Sequence, residues 1–249
     1  MPRVRLDQLL VTRGLVPSRE RGRALILAGL VTVDDTVVTK AGHQVDADAR
    51  VAVRQPDHPW VSRGGVKLSH ALNTFAIDVT GATVLDIGAS TGGFTDVLLD
   101  RGARRVVALD VGHGQLDWKL RTDPRVTCIE GVNARYLTAD DLPADTRSFD
   151  LVTIDVAFIS LRHIFPVLPP LVAPGGRILA LVKPQFEAGR DEVGKGGIVR
   201  DPDVHTRVIE ATAAAAHQVG LERLASTPSP IEGAEGNREF FMLLARSAG

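Results

Sequence analysis

From residue 66 onward, nearly unbroken apolar runs alternate with amphipathic ones. ATVLDIG (82–88), RRVVALDVG (104–112), RVTCIEG (125–131), SFDLVTIDV (148–156) and GGRILALVKP (175–184) are apolar at consecutive positions. A strand of that kind is apolar on both faces and needs cover on both, which predicts a parallel sheet with helices on either side. GGFTDVLLDRG (92–102), QLDWKLRTD (115–123), SLRHIFPVLPPLV (160–172) and DVHTRVIEATAAAAHQVG (203–220) supply the helices. LERLASTPS (221–229) and REFFMLLARS (238–247) close the region as strands with an antiparallel edge. The expected fold class is α/β, a Rossmann-like, mostly parallel seven-stranded sheet.

The N-terminal stretch is patterned differently. Leu6, Leu9 and Leu10 share one face of a short helix that Gly14 ends. Ser18 caps a second helix, which runs through Ala24, Leu25, Ile26 and Leu27 to Gly29. LVTVDD and TVVTK follow as β pieces with Asp34-Asp35 as their turn, and ARVAVRQ as another. A small α+β domain is expected over residues 1–55. QPDHPWVSRGG is dense in turn residues, so a linker is expected over 56–63 and the second domain over 64–249. Trp60 is expected to pack into one of the two.

Composition narrows the classes. A hydrophobic fraction of 44% and a charged fraction of 24% are those of an ordinary globular protein. The single cysteine, Cys128, excludes an intrachain disulfide and a multi-cysteine zinc site, and reads as a small apolar residue. No run suits a membrane helix and MPRVRLDQLL lacks a signal core, so the expectation is a cytoplasmic protein with no membrane partner. The net charge of −1 hides a local excess: residues 1–30 carry six arginines against Asp7 and Glu20. Such a face suits a module that follows phosphates, or is simply a solvated helix surface.

DIGASTGGFT (86–95) lies at the first strand–helix turn, where doubly wound sheets bind ligands. Its glycines do not follow the G-x-G-x-x-G order of a pyrophosphate loop, and Asp86 would repel a phosphate. An acid there suits a ligand with a cationic group. Asp110 ends the next strand, where a carboxylate can accept ribose hydroxyls. A ligand with an ammonium at one end and a neutral nucleoside at the other, S-adenosylmethionine, fits both acids. The expected cofactor contacts are Asp86, Gly88, Ala89, Ser90, Thr91, Gly92, Gly93, Phe94, Asp110, Val111, Asn133 and Asp155.

Methyl transfer to a hydroxyl needs a base and an oriented oxygen. Lys183 ends an apolar strand in ILALVKPQFE, and Asp155 ends LVTID on the same rim. Lys67 lies in a helix before the first strand, and Glu239 opens the last one. In that order Lys67, Asp155, Lys183 and Glu239 resemble the K-D-K-E tetrad of FtsJ-like ribose 2′-O-methyltransferases. SRGG-x-KL, DIGASTGGFTD, DVAFISL, LVKPQFE and GN-x-EFF together resemble the TlyA (haemolysin A) family. RLDQLL, SR, a helix ending AG, VTVD and VVTK resemble an S4 domain over roughly residues 3–53.

The resemblance implies a class I methyltransferase fold joined to an S4 RNA-binding domain. It implies S-adenosylmethionine as cofactor, ribosomal RNA or ribosomal subunits as partner, and 2′-O-methylation of cytidine. It also implies catalytic roles for the four tetrad residues, and RNA contact by Arg3, Arg5, Arg13, Ser18, Arg19, Arg23 and Lys40. Two positions depart from the pattern: Asp35, where many S4 domains have glycine, and His58, where some TlyA relatives have a basic residue. The rival reading is a non-catalytic RNA-binding assembly factor, against which the complete tetrad and both cofactor aspartates speak. A membrane-active toxin is disfavoured, since no apolar amphipathic helix is evident.

Overall fold

The computed structural model describes residues 3–16, 18–27, 29–40, 42–53, 58–233 and 236–247. The chain divides between Pro59 and Trp60 into two compact units. Residues 60–63, read from the sequence as linker, thus fall with the second unit; Pro56 and Ala28 lie outside the described residues.

The first unit begins with β1 (Arg3–Arg5), α1 (Leu6–Thr12) and α2 (Arg19–Leu27). Short strands follow: β2 (Val31–Val33), β3 (Thr36–Val37), β4 (Gln44–Asp46) and β5 (Val51–Val53). Leu6, Leu9, Leu10, Val16, Ile26, Val31, Val38 and Val45 form its core. The two helices are those the leucine spacing predicts. Ser18 caps the second, its Oγ accepting from the Arg21 N–H at 3.2 Å. Asp34 and Asp35 both take positive φ, 47° and 65°, as a tight hairpin turn between β2 and β3 demands. Arg50 holds this turn without a glycine, through its N–H to Asp34 and an ion pair to Asp35. The antiparallel pair β1–β4 has no forecast in the sequence pattern.

The second unit contains α3 (Gly64–Thr74), β6 (Thr83–Ile87), α4 (Gly93–Asp100), β7 (Arg105–Asp110), α5 (Trp118–Arg121) and β8 (Val126–Glu130). Then come β9 (Phe149–Ile154), β10 (Val172–Val182), α6 (Pro184–Glu187), α7 (Pro202–His217), β11 (Leu221–Pro228) and β12 (Phe240–Arg246). The seven strands run in the order β11-β12-β10-β9-β6-β7-β8. From β8 to β10 neighbouring strands are parallel, and β12 is antiparallel to both β10 and β11. The α/β expectation and its antiparallel edge are both met. Alternation along the strands separates two cores. Leu85, Ile87, Val107, Leu109, Val152 and Ile154 face one side with Val204 and Val208 of α7. Val84, Val106, Leu151, Leu179 and Phe241 face the other with Leu68 of α3 and Leu98 of α4. Trp60 packs with this second core.

Two helices expected from the sequence are corrected. Residues 160–171 form only 3₁₀ turns at Leu161–His163 and Phe165–Val167, and Val172 already begins β10. Pro166, Pro169 and Pro170 lack the N–H groups that an α-helix needs. The helix expected over 115–123 shrinks to Trp118–Arg121.

Candidate active site

The chain runs outward from β6 to β7 and β8, then returns to β9 on the other side of β6. That reversal opens a crevice at the carboxyl ends of β6 and β9, the place where such sheets bind ligands. Asp155 follows β9 there, its N–H donating to the Ile87 carbonyl at 2.9 Å. Gly88 sits against it at φ 84°, and a Cβ there would lie 2.3 Å from the Asp155 carbonyl oxygen. Only glycine allows β6 to leave the sheet beside Asp155. Gly92 caps α4 at φ 94°, where a Cβ would meet Leu120 at 2.2 Å. Ser90 takes φ 47° without being glycine, and its N–H donates to Asp110 at 2.8 Å. A strained, exposed residue pinned by a carboxylate is the kind of loop geometry that binding sites retain.

The sequence-predicted cofactor residues divide into two groups. Ser90, Thr91, Val111 and Asn133 are exposed around the crevice, and Asp110 is half-buried. Asp110 accepts from the Ser90 and Gly112 N–H groups, one on each oxygen, which leaves lone pairs for further donors. Asn133 also caps a 3₁₀ turn through the Arg135 N–H. Ala89, Gly92, Gly93 and Phe94 are buried, Phe94 lying 6.1 Å from the Phe241 ring. They shape the loop from behind.

Asp86 is placed otherwise than the sequence suggests. It is fully buried, and its oxygens accept from Thr95 Oγ1 at 2.7 Å and Thr153 Oγ1 at 2.8 Å. Burial pushes its carboxyl up to about 6, against the two hydroxyl bonds that favour the ionised form. With no exposed surface, Asp86 supports the loop from beneath.

The four catalytic candidates come together as two ion pairs. Register explains half of this: Val182 pairs with Phe240, so the next positions along β10 and β12 bring Lys183 and Glu239 to neighbouring strand ends. Lys183 Nζ lies 2.5 Å from Asp155 Oδ1, with both side chains mostly buried. Lys67, on the inner face of α3, places Nζ 2.5 Å from Glu239 Oε2, and the two residues are 9% and 4% exposed. Ion pairs of this burial are retained where function needs charge, since apolar residues would fill the same space as stably.

Sequence reasoning missed two aromatic side chains on this rim. Phe158 is 92% exposed at φ 63°, and its ring lies 5.3 Å from that of Phe186. Phe158 follows Asp155 by three positions and Phe186 follows Lys183 by three, so each ion-pair partner has a phenylalanine at the same offset. That recurrence is visible in DVAFISL and LVKPQFE.

In the first unit the arginines have unequal freedom. Asp7, fully buried, accepts from Arg5 Nε and Nη2 at 3.0 and 2.9 Å and from Arg19 Nη2 at 3.1 Å. The Arg5 guanidinium holds the Asp7 carboxyl down to about 2, with Arg19 adding to it. Arg13 instead donates to the Ala49 and Ala47 carbonyls at 2.7 and 2.6 Å. Arg3 donates to the Gln44 carbonyl at 3.3 Å, while Arg23 and Lys40 are exposed.

The model of the FtsJ-like methyltransferases matches residues 60–246. The chain belongs to that family. The S4 domain model matches residues 4–51. This FtsJ-like chain is 46% identical over 243 residues to the 16S/23S rRNA (cytidine-2′-O)-methyltransferase TlyA of Mycobacterium tuberculosis, covering 97% of this chain and 90% of that one. It is 40% identical over 241 residues to Hemolysin A of Brachyspira hyodysenteriae, covering 95% and 98%. A solved structure from Streptococcus thermophilus that carries a hemolysin name is 41% identical with a TM-score of 0.77, over 100% of this chain and 90% of that one. The S4-bearing FtsJ-like family that the motifs resemble is therefore the right one. Among the described residues no helix is long and apolar enough to cross a membrane.

Proposed function

We propose that this chain is an S-adenosylmethionine-dependent methyltransferase that modifies the ribose 2′-hydroxyl of cytidine in ribosomal RNA. The observation that carries the reading is the pair of shielded ion pairs, Lys67–Glu239 and Lys183–Asp155, on the rim beside the glycine loop. When bound, S-adenosylmethionine supplies an electrophilic methyl group. The residues present fit it: Ser90 and Thr91 leave the loop exposed along the crevice, and Asp110 keeps lone pairs for ribose hydroxyls.

The remaining work falls to the protein's own side chains. Lys183 receives the hydroxyl proton after its ammonium has released one to solvent, and Asp155 holds its amino group in place at 2.5 Å. Lys67 and Glu239, shielded from water, set a second fixed pair of charges at the neighbouring strand end. Phe158 offers an exposed face on which a base drawn out of its stack can rest. Arg5, Arg19, Arg23, Arg3 and Lys40 serve phosphates of the RNA, whereas Arg13 and Ser18 hold the S4 unit together.

The test is incubation of separated ribosomal subunits with cofactor labelled on its methyl group, followed by digestion of the RNA to nucleosides. Label in 2′-O-methylcytidine is the expected outcome. Label on a base or on ribosomal protein overturns the chemistry. Tight subunit binding without label favours the assembly-factor reading. Both subunits need testing, because the Mycobacterium tuberculosis relative is named for both 16S and 23S rRNA.

A further inference from the structure

Two of the sequence motifs contain a residue that the catalytic ion pairs leave unexplained: Ser160 in DVAFISL and Glu187 in LVKPQFE. The structure joins them. Glu187 ends α6, and its Oε2 accepts from Ser160 Oγ at 2.6 Å while Oε1 accepts from the Leu161 N–H at 2.7 Å. Arg162 closes the arrangement, donating from Nε to Ser160 Oγ at 2.9 Å and from Nη2 to the Glu187 carbonyl at 3.3 Å.

A carboxylate is a costly choice for joining two loops. Its principal partners here are a hydroxyl and a peptide N–H, and burial pushes the Glu187 carboxyl above its usual range. What it secures is geometry. The stretch from Asp155 to Leu161 leaves β9 carrying Asp155 and Phe158, and Phe158 has almost no packing to hold its positive φ. The stretch from Lys183 to Glu187 leaves β10 carrying Lys183 and Phe186. The two stretches meet at one end through Lys183–Asp155, midway through Phe158–Phe186, and at the far end through Glu187. Without the far contact, the loop could swing about Asp155.

We propose that Glu187 is a positioning residue for methyl transfer. By holding Ser160 and the Leu161 peptide, it fixes the loop after β9 against α6, and so sets Asp155 on Lys183 and Phe158 on Phe186. The role rests on the reading of this rim as the methyl-transfer site.

A residue that only staples the fold would lower stability and leave turnover of the folded enzyme intact. The test uses the full chain with Glu187→Ala, Glu187→Gln, Ser160→Ala and the double Ser160→Ala/Glu187→Ala. Each is assayed for kcat and KM on the ribosomal subunit that the unaltered protein methylates, and for thermal unfolding. Glu187→Ala should lower kcat by about 10²-fold, the loss expected when reacting groups shift by roughly an ångström. Glu187→Gln should recover most of it, since an amide can still accept from Leu161 and donate to Ser160. The double variant should be no slower than Glu187→Ala, because that change already removes the bond that Ser160→Ala breaks. Unchanged kcat in Glu187→Ala with a lower melting temperature overturns the proposal. If Glu187→Ala does not fold, the near-isosteric Glu187→Met, which accepts from neither Ser160 nor Leu161, decides, and full turnover there overturns the proposal equally. Should the unaltered protein label no RNA, the methyl-transfer reading fails and this one with it. Labelling by the unaltered protein and by all variants alike defeats the positioning role alone.

Discussion

Lys67 and Glu239 stand 172 positions apart in the sequence, yet Nζ and Oε2 lie 2.5 Å apart in a site nearly closed to water. Removing one partner of such a pair leaves a buried charge uncompensated, at a cost of about 3–5 kcal/mol. Glu239→Ala is therefore expected to destabilise the second unit by that amount in urea unfolding. Lys67→Met with Glu239→Leu should recover much of the stability and none of the methyl transfer. A double variant as unstable as the single one would show that packing, and not the stranded ammonium, sets the cost.

Lys183→Arg separates charge from proton uptake. A guanidinium can still meet Asp155, but it remains protonated at any working pH and cannot take the hydroxyl proton. Methyl transfer should be lost, with calorimetry showing retained cofactor binding. Near-normal turnover would mean that Lys183 only places charge, and that another group is the base.

Asp86 makes stability depend on pH in a defined direction. Its carboxyl is raised from 3.8 to about 6 in the folded chain, so between those values the folded state holds a proton that the unfolded chain releases. Stability from this group is present at low pH and is lost as pH rises through that window. Asp86→Asn removes the dependence, so its melting temperature relative to the unaltered protein should rise between about pH 4 and about pH 7. A difference constant across that range would show that the carboxylate is solvated.

The arginines of the first unit should separate in RNA-binding titrations against salt. Replacing the exposed Arg3, Arg23 and Lys40 with alanine should lower affinity and reduce the slope of log affinity on log salt by about one unit per lost phosphate contact. Arg13→Ala should leave that slope alone and instead loosen the unit, because its donors hold the Ala47 and Ala49 carbonyls. Equal slopes for the triple variant and the unaltered protein would reduce the basic face to a solvated surface.

The sheet was legible because its strands are apolar at consecutive positions, and the crevice because Asp86-Ile87-Gly88 leaves a strand beside glycines. The four ion-pair residues arrive from α3, β9, β10 and β12, and no local pattern joins them; resemblance did. The false helix over 160–172 arose because Leu161, Ile164, Phe165 and Leu168 have helical spacing and are all buried, while the prolines prevent the helix. The burial of Asp86 could not be read from its motif because its partners, Thr95 and Thr153, belong to two other elements. Strands as short as Arg3–Arg5 and Gln44–Asp46 are too brief to show a period.

The seventh strand of the sheet in chain order, β12, lies between β10 and β11, which precede it in the sequence. A chain emerging from the ribosome thus has its cofactor loop, Asp155 and Lys183 in hand while β10 still presents an open edge. Lys67 then faces no Glu239, and β11 lacks the neighbour that joins it to the sheet. Domains fold as their parts emerge, the N-terminal portion first. Insertion of Phe240–Arg246 between two waiting strands closes the sheet and brings Glu239 to Lys67 in one event. Completion of the sheet and neutralisation of the Lys67 ammonium are therefore one step, and whatever keeps β12 out of the sheet also strands that charge.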